Sequence, residues 1–197
     1  MEQVKEVLSR IGLGNMPQVS QQTLQSVISL KGQFHSAEEF LKATNPSMQV
    51  YMYRDEERAF MGKAPSLNLL SIAYGHDCPK AWLKIQLFEL SEYSNVNMKM
   101  SEAQIDQTAV LILENKKYAT WKVSEFMYFF FWFKQHGKFW GTVDGMVIIE
   151  ALNRFCEVRA QEINRIEQKR REEEDRKWRE SAITRQEYEL LKQRQNG

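Results

Sequence analysis

The sequence predicts an all-α protein, a compact multi-helix domain with a long charged C-terminal helix projecting from it. Three observations carry that expectation. The four prolines, Pro17, Pro46, Pro65 and Pro79, all fall in the first 79 residues, so the remainder lacks the strongest helix breaker. Apolar residues recur at helical rather than alternating spacing. The one segment whose residue types suit a strand has no second strand to pair with, and a lone strand would leave its backbone groups unsatisfied.

Residues 2–11 alternate Glu2, Lys5, Glu6 and Arg10 with Val4, Val7, Leu8 and Ile11, an amphipathic helix closed by Gly12 and Gly14. Residues 19–30 place Val19, Leu24, Val27, Ile28 and Leu30 among Gln and Ser as a second helix. Ser36 with Glu39 has the spacing of a reciprocal cap and starts a short helix through Phe40 and Leu41. Leu67 to Tyr74 forms the next, stopped by Gly75. Asp77 is placed as the N-cap of the helix that follows, with Pro79 near its first turn and Trp82, Leu83, Ile85, Leu87, Phe88 and Leu90 on a wide apolar face. That helix fades at Ser94 and Asn95. Ser101 with Gln104 caps another, whose Ile105, Ala109, Leu111, Ile112 and Leu113 are expected to point inward.

Phe126 to Phe133 reads FMYFFFWF, aromatic on every side; within a helix over 121–135 it belongs at the centre of a bundle. After the loop KFWGTVD, Asp144 is the expected N-cap of the longest element, which has no Pro or Gly from Met146 to Asn196. Its stripe of Ile148, Leu152, Phe155, Val158, Ile163 and Ile166 then gives way to QKRREEEDRKWRE. A helix from 145 to 180 would be roughly 54 Å long, more than a domain of this size covers. The expected organisation is therefore a helical domain over 1–166, with small helices in 1–60 and the core in 65–166, and a charged arm over 167–197. In that arm Glu167–Arg171, Glu172–Arg176, Glu173–Lys177 and Asp175–Arg179 have i,i+4 spacing with the acid first. Thr184 with Glu187 could open a terminal turn.

The 27 basic and 26 acidic side chains of this 197-residue chain give a net charge of +1, which removes the strong electrostatic case for a dedicated polyanion binder. From Arg154 onward the balance is 12 basic to 10 acidic, so neither part is a polyelectrolyte. At 43% hydrophobic residues a sizeable core is expected. Cys78 and Cys156 stand far apart with no CxxC and no paired His, which suggests neither a disulfide framework nor a zinc site. A reduced, cytoplasmic setting is expected, with no membrane span, since the longest apolar run has eight residues against the roughly 20 that cross a bilayer.

Chemistry-bearing motifs are few. His76, Asp77 and Cys78 are adjacent, but consecutive side chains diverge and no supported His partner for the thiol exists. Gly62-Lys63 and Gly137-Lys138 lack the spacing of a phosphate loop, and no metalloprotease, calcium-loop, nucleophile-elbow or dinucleotide motif appears. The reading is a non-enzyme with no cofactor and no metal. Two binding candidates remain. Trp178, Ile183, Tyr188, Leu190 and Leu191 bring apolar residues back at the far end of the charged stalk, either as a turn that folds back or as a docking segment for a protein partner. The alternative is the turn holding Lys134, His136, Lys138, Phe139 and Trp140, where cations beside rings could meet phosphates and stack the bases of a single-stranded nucleic acid.

The stretches SLNLLSIAYGHDCPKAWLKIQLFEL and SEFMYFFFWFKQHGKFWGTVDGMVIIEALNRF resemble an uncharacterised family of small α-helical proteins from bacteriophages and mobile elements of gut bacteria. The likeness covers roughly residues 65 to 160, and the aromatic helix, the Gly-Lys-Phe-Trp-Gly turn and Val143-Asp144-Gly145 are its characteristic piece. It implies an accessory factor, with DNA replication as one setting, and carries over no catalytic residues. The expected function is thus a helical adaptor binding a macromolecular partner through its C-terminal arm.

Overall fold

A computed structural model of the chain describes residues 20–93, 99–137 and 143–181, which form ten α-helices and one 3-10 turn and contain no strand. The protein is all-α. The helix expected over 2–11 and the turn expected at Thr184 lie outside the described residues. A division between two compact units falls between Leu152 and Asn153.

In the first unit, α1 (Gln21–Gln33) starts where Ser20 accepts a hydrogen bond from the Thr23 N–H, and it buries Val27 and Leu30. The next helix, α2 (Ala37–Ala43), is capped by Ser36, whose hydroxyl accepts from Glu39 N at 3.1 Å. The reciprocal half differs from the sequence expectation, because the Glu39 carboxylate reaches one residue further back and accepts from His35 N at 2.8 Å. A 3-10 turn (Pro46–Met48) leads into α3 (Gln49–Arg54) and α4 (Glu56–Met61). Gly62 ends α4 because a Cβ there would collide with the Arg58 carbonyl that its own N–H caps.

Then α5 (Leu67–Tyr74) stops at Gly75, whose φ of 89° is a conformation that side chains rarely adopt. The Tyr74 hydroxyl donates to the Phe34 carbonyl at 2.5 Å and so ties α5 to the end of α1. The helix α6 (Asp77–Tyr93) begins at Asp77 itself, so Asp77 is a first-turn acid rather than the expected N-cap, and Pro79 lies in the same turn. A carboxylate there still faces the positive helix end favourably.

Packed against α6 is α7 (Glu102–Glu114), which carries the full reciprocal cap: Gln104 N donates to the Ser101 hydroxyl and Ser101 N to the Gln104 side chain. Asp106 lies between Lys80 and Lys84, 2.9 and 3.2 Å away, and their hydrogen bonds hold its carboxyl below the usual carboxylate range. Two expectations about these helices need correction. Ile85 and Phe88 on α6 are 37% and 57% exposed, and Leu111 on α7 is 53% exposed, although Trp82, Leu83, Leu87, Leu90, Ile105, Ala109 and Ile112 are buried as expected. Each helix buries only the stripe facing its neighbours, which is narrower than its apolar content.

A single turn, α8 (Lys116–Ala119), precedes α9 (Val123–His136), the aromatic helix. Its start is paired with the start of α5: Leu67 N donates to the Trp121 carbonyl at 3.2 Å and Val123 N to the Pro65 carbonyl at 2.9 Å. Glu125 reaches back to the Lys122 N–H at 2.8 Å. Phe126, Met127, Tyr128, Phe129, Phe130 and Phe133 are all buried, and α9 packs against α3, α4 and α6. Rings of α9 meet at 4.8 to 6.2 Å with Tyr53, Phe60 and Trp82 from three other helices, distances at which aromatic pairs attract beyond their area burial.

The last helix, α10 (Gly145–Ser181), opens where the Asp144 carboxylate accepts from Val147 N at 2.9 Å, as the sequence predicts. Gly145 permits close approach to α7, since a Cβ would strike the Thr108 hydroxyl. Ile148, Ala151 and Leu152 are buried in the first unit. In the second, Phe155 and Ile166 are buried and Val158 and Ile163 half-buried. From residue 167 to 181 every position is exposed except the half-buried Glu173.

Candidate functional site

The exposed end of α10 holds the first candidate. Its helicity without packing rests on side-chain pairs along the helix: Glu167–Arg171 forms as expected at 3.6 Å, and Glu162–Arg165 lies at 2.6 Å. The two members of the expected Glu172–Arg176 pair have other partners. Glu172 accepts from Gln168 at 2.9 Å and Arg176 pairs with Glu180 at 3.9 Å. Surface pairs of this kind are worth only about 0.3–0.5 kcal/mol each, so shifting between partners costs little. Trp178 stands on this helix 73% exposed, among polar and charged residues. Ile183, Tyr188, Leu190 and Leu191 lie outside the described residues.

The turn after α9 gives a different picture. Lys134 is not presented to solvent: its ammonium donates to Gln49 Oε1 at 2.8 Å and to both carboxylate oxygens of Glu89, and lies 5.0 Å from the centre of the Tyr93 ring. Gln49 in turn donates to Gln86 at 2.7 Å, and Gln86 to the Thr44 carbonyl, which also accepts from the Trp82 indole. This chain of partners joins α3, α6 and α9 through the core. His136 is exposed and stacks on Trp132, with ring centres 5.1 Å apart. Lys138, Phe139 and Trp140 lie outside the described residues, so of the five residues singled out in this turn, the structure places two and engages one of them internally.

Cys78 is buried at the start of α6, and burial pushes its thiol up to about 11. At pH 8 roughly one part in a thousand would be thiolate, which makes it a poor nucleophile. Native protein treated with iodoacetamide at pH 8 is expected to leave Cys78 unmodified, and denatured protein to react fully, as peptide mass mapping would show. Between pH 9 and 11 the native thiol keeps a proton that the unfolded chain has lost, so this group lowers stability as pH rises through that window. Among the described residues no three His, Cys, Asp or Glu side chains gather so as to hold a metal ion, and no helix is long and apolar enough to cross a membrane.

One feature of the first unit is not singled out by the sequence reading. An open groove of about 760 Å³ runs between α1 on one side and the α3–α4 region and the start of α9 on the other. Its α1 wall is polar: Gln22, Gln25, Ser26, Ser29 and Gln33 recur at offsets 0, 3, 4, 7 and 11 along one helix face. Its apolar lining comprises the half-buried Phe34 and Met48 and, behind them, the buried Leu30, Phe40, Met52 and Met127. Arg58, Lys63 and Lys122 also line it, and none of the described lining residues is acidic. Lys122 donates to the Phe60 carbonyl at 2.8 Å, which fixes its ammonium at the end of α4. The periodic Gln and Ser positions are visible in the sequence, but the three cations come from separate segments and share a surface only in the fold.

No match is found among curated proteins or among solved structures. Residues 99–196, which take in α7 to α10, match the model of a protein family described as a family of unknown function, DUF6633.

Proposed function

We propose that this protein is a non-catalytic helical adaptor that engages a protein partner through the C-terminal part of α10, with Trp178 as the anchor. The exposure of Trp178 on a helix whose every neighbour from 167 to 181 is polar or charged supports this reading above all else. Tryptophan is the residue most enriched where interfaces concentrate their energy, because its large rigid ring buries much area at little cost in side-chain entropy. A helix already ordered by its own side-chain pairs also reduces the ordering cost of binding. Ile183, Tyr188, Leu190 and Leu191 would extend the contact. A patch of this size gives modest affinity on its own, so the charged flanks would set orientation and on-rate. The proposed setting is that of a phage or mobile-element accessory factor in DNA replication, which rests on the resemblance of residues 65–160.

Affinity capture with full-length protein, Trp178→Glu and a chain ending at Glu167 provides the test. A specific partner, identified by mass spectrometry, should fall by at least about tenfold in both variants, a loss of roughly 1.4 kcal/mol, while their thermal transitions stay close to wild type. Equal recovery with all three proteins would remove the reading.

A further inference from the structure

We infer that the groove beside α1 is a second docking site, built to take an acidic amphipathic helix from a partner protein. Charge identifies the occupant. Arg58 and Lys63 are exposed and Lys122 is half-buried at the same groove, and no described lining residue opposes them with a carboxylate. In a protein with a net charge of only +1, such a local excess favours an anionic ligand and repels a cationic one.

The shape of the walls points to a helix. The polar face of α1 from Gln22 to Gln33 extends roughly 16 Å, about three helical turns of a docked segment. Across from it, Met48 is half-buried at the groove, while Met52 and Met127, from two other elements, are packed beneath it at 6% and 3% exposure. Methionine is unbranched and polarizable, and surfaces that accept apolar helix faces use it because it adapts to the side chains presented. The amide side chains of α1 can both donate and accept hydrogen bonds, which suits the polar margin of such a helix. Apolar residues of the ligand at i, i+3, i+4 and i+7 would meet the half-buried Phe34, Met48 and Leu69, and carboxylates on its flank would meet Arg58, Lys63 and Lys122. Together with the C-terminal part of α10, this would give an adaptor two separate binding surfaces, though the groove inference does not depend on the other.

The probe is a fluorescein-labelled helical peptide of about twelve residues, with leucine at i, i+3, i+4 and i+7 and glutamate at the flanking positions, titrated against the full-length chain by anisotropy. Its counterpart carries lysine in place of each glutamate. The acidic peptide should bind with an affinity that falls as salt rises, and should weaken at least about tenfold on the Arg58→Glu/Lys63→Glu double variant. The lysine peptide should bind that variant better than it binds wild type. Both substituted positions are exposed, so the fold should survive, which circular dichroism checks. Ser29→Trp, which fills the groove without changing charge, should also weaken the acidic peptide. Equal binding of the acidic peptide to wild type and the reversed variant, or no binding to either, overturns the inference. So does salt-sensitive, Arg58- and Lys63-dependent binding of laurate or of a thymidine oligonucleotide in place of the peptide, since the groove would then serve a lipid-like anion or a nucleic acid.

Discussion

Phe129→Ala is expected to lower the unfolding free energy by about 3–5 kcal/mol. Phe129 is fully buried at the middle of α9, stacked on Phe133 with planes 8° apart and packed against Phe130 at 5.2 Å between ring centres. Removing the ring costs its transfer free energy and leaves a cavity, because a close-packed core relaxes only partly around a deleted side chain. For a chain of this length the loss corresponds to a fall in Tm of roughly 10 °C. Phe88→Ala makes the contrast: Phe88 has the same side chain but is 57% exposed on α6, and its removal should change stability by less than about 1 kcal/mol. Chemical denaturation of the two variants side by side checks both. Near-equal losses would mean that α9 is not the central element of the core.

The second large effect is expected at Lys134. Lys134→Met removes an ammonium that partners both Glu89 and the buried Gln49, leaving a carboxylate with less than half its surface in water and an amide oxygen without its donor. Breaking such a pair from one side costs about 2–4 kcal/mol, more than the pair itself is worth, because the abandoned partner still bears its desolvation. The double variant Lys134→Met/Glu89→Leu should recover much of that loss, and a double-mutant cycle measured by urea denaturation would read the coupling directly. Additive losses would show that the two groups do not interact in solution. The same measurement bears on function. If Lys134 is held in the core, Lys134→Met should leave any binding of single-stranded oligonucleotides unchanged, and a specific loss of such binding in a folded variant would mean that the ammonium leaves Glu89 to meet a phosphate.

Lys134 also illustrates where sequence reading loses its grip. In sequence it stands beside His136 and before Lys138, Phe139 and Trp140, as a cation among rings. Its actual partners are 45 and 85 positions away, and no local pattern announces a contact at that separation. The same holds for Ile85, Phe88 and Leu111. Periodicity shows that a helix has an apolar side, while the width of the neighbour packed onto it decides which of those residues are covered. Most caps behave the other way, Asp77 and the Glu39 half of the Ser36 cap being the exceptions. Ser101 with Gln104, Asp144 with Val147 and Gly75 after Tyr74 are read correctly because the atoms involved lie within four residues of one another.

What the sequence determined alone is therefore much of the local part of this protein: the all-α class, several helix starts and stops, the helical state of the aromatic run, and the fading of apolar character in α10 after Ile166. Each follows from interactions within about one turn of helix or from a period that repeats along it. Only the tertiary structure decided that Lys134 is internal, that α6 and α7 leave large apolar side chains exposed, and that Arg58, Lys63 and Lys122 line one groove with α1. Those outcomes depend on packing between segments far apart in the chain. Many alternative pairings share the same hydrophobic pattern, and shape and charge complementarity across the whole core select among them.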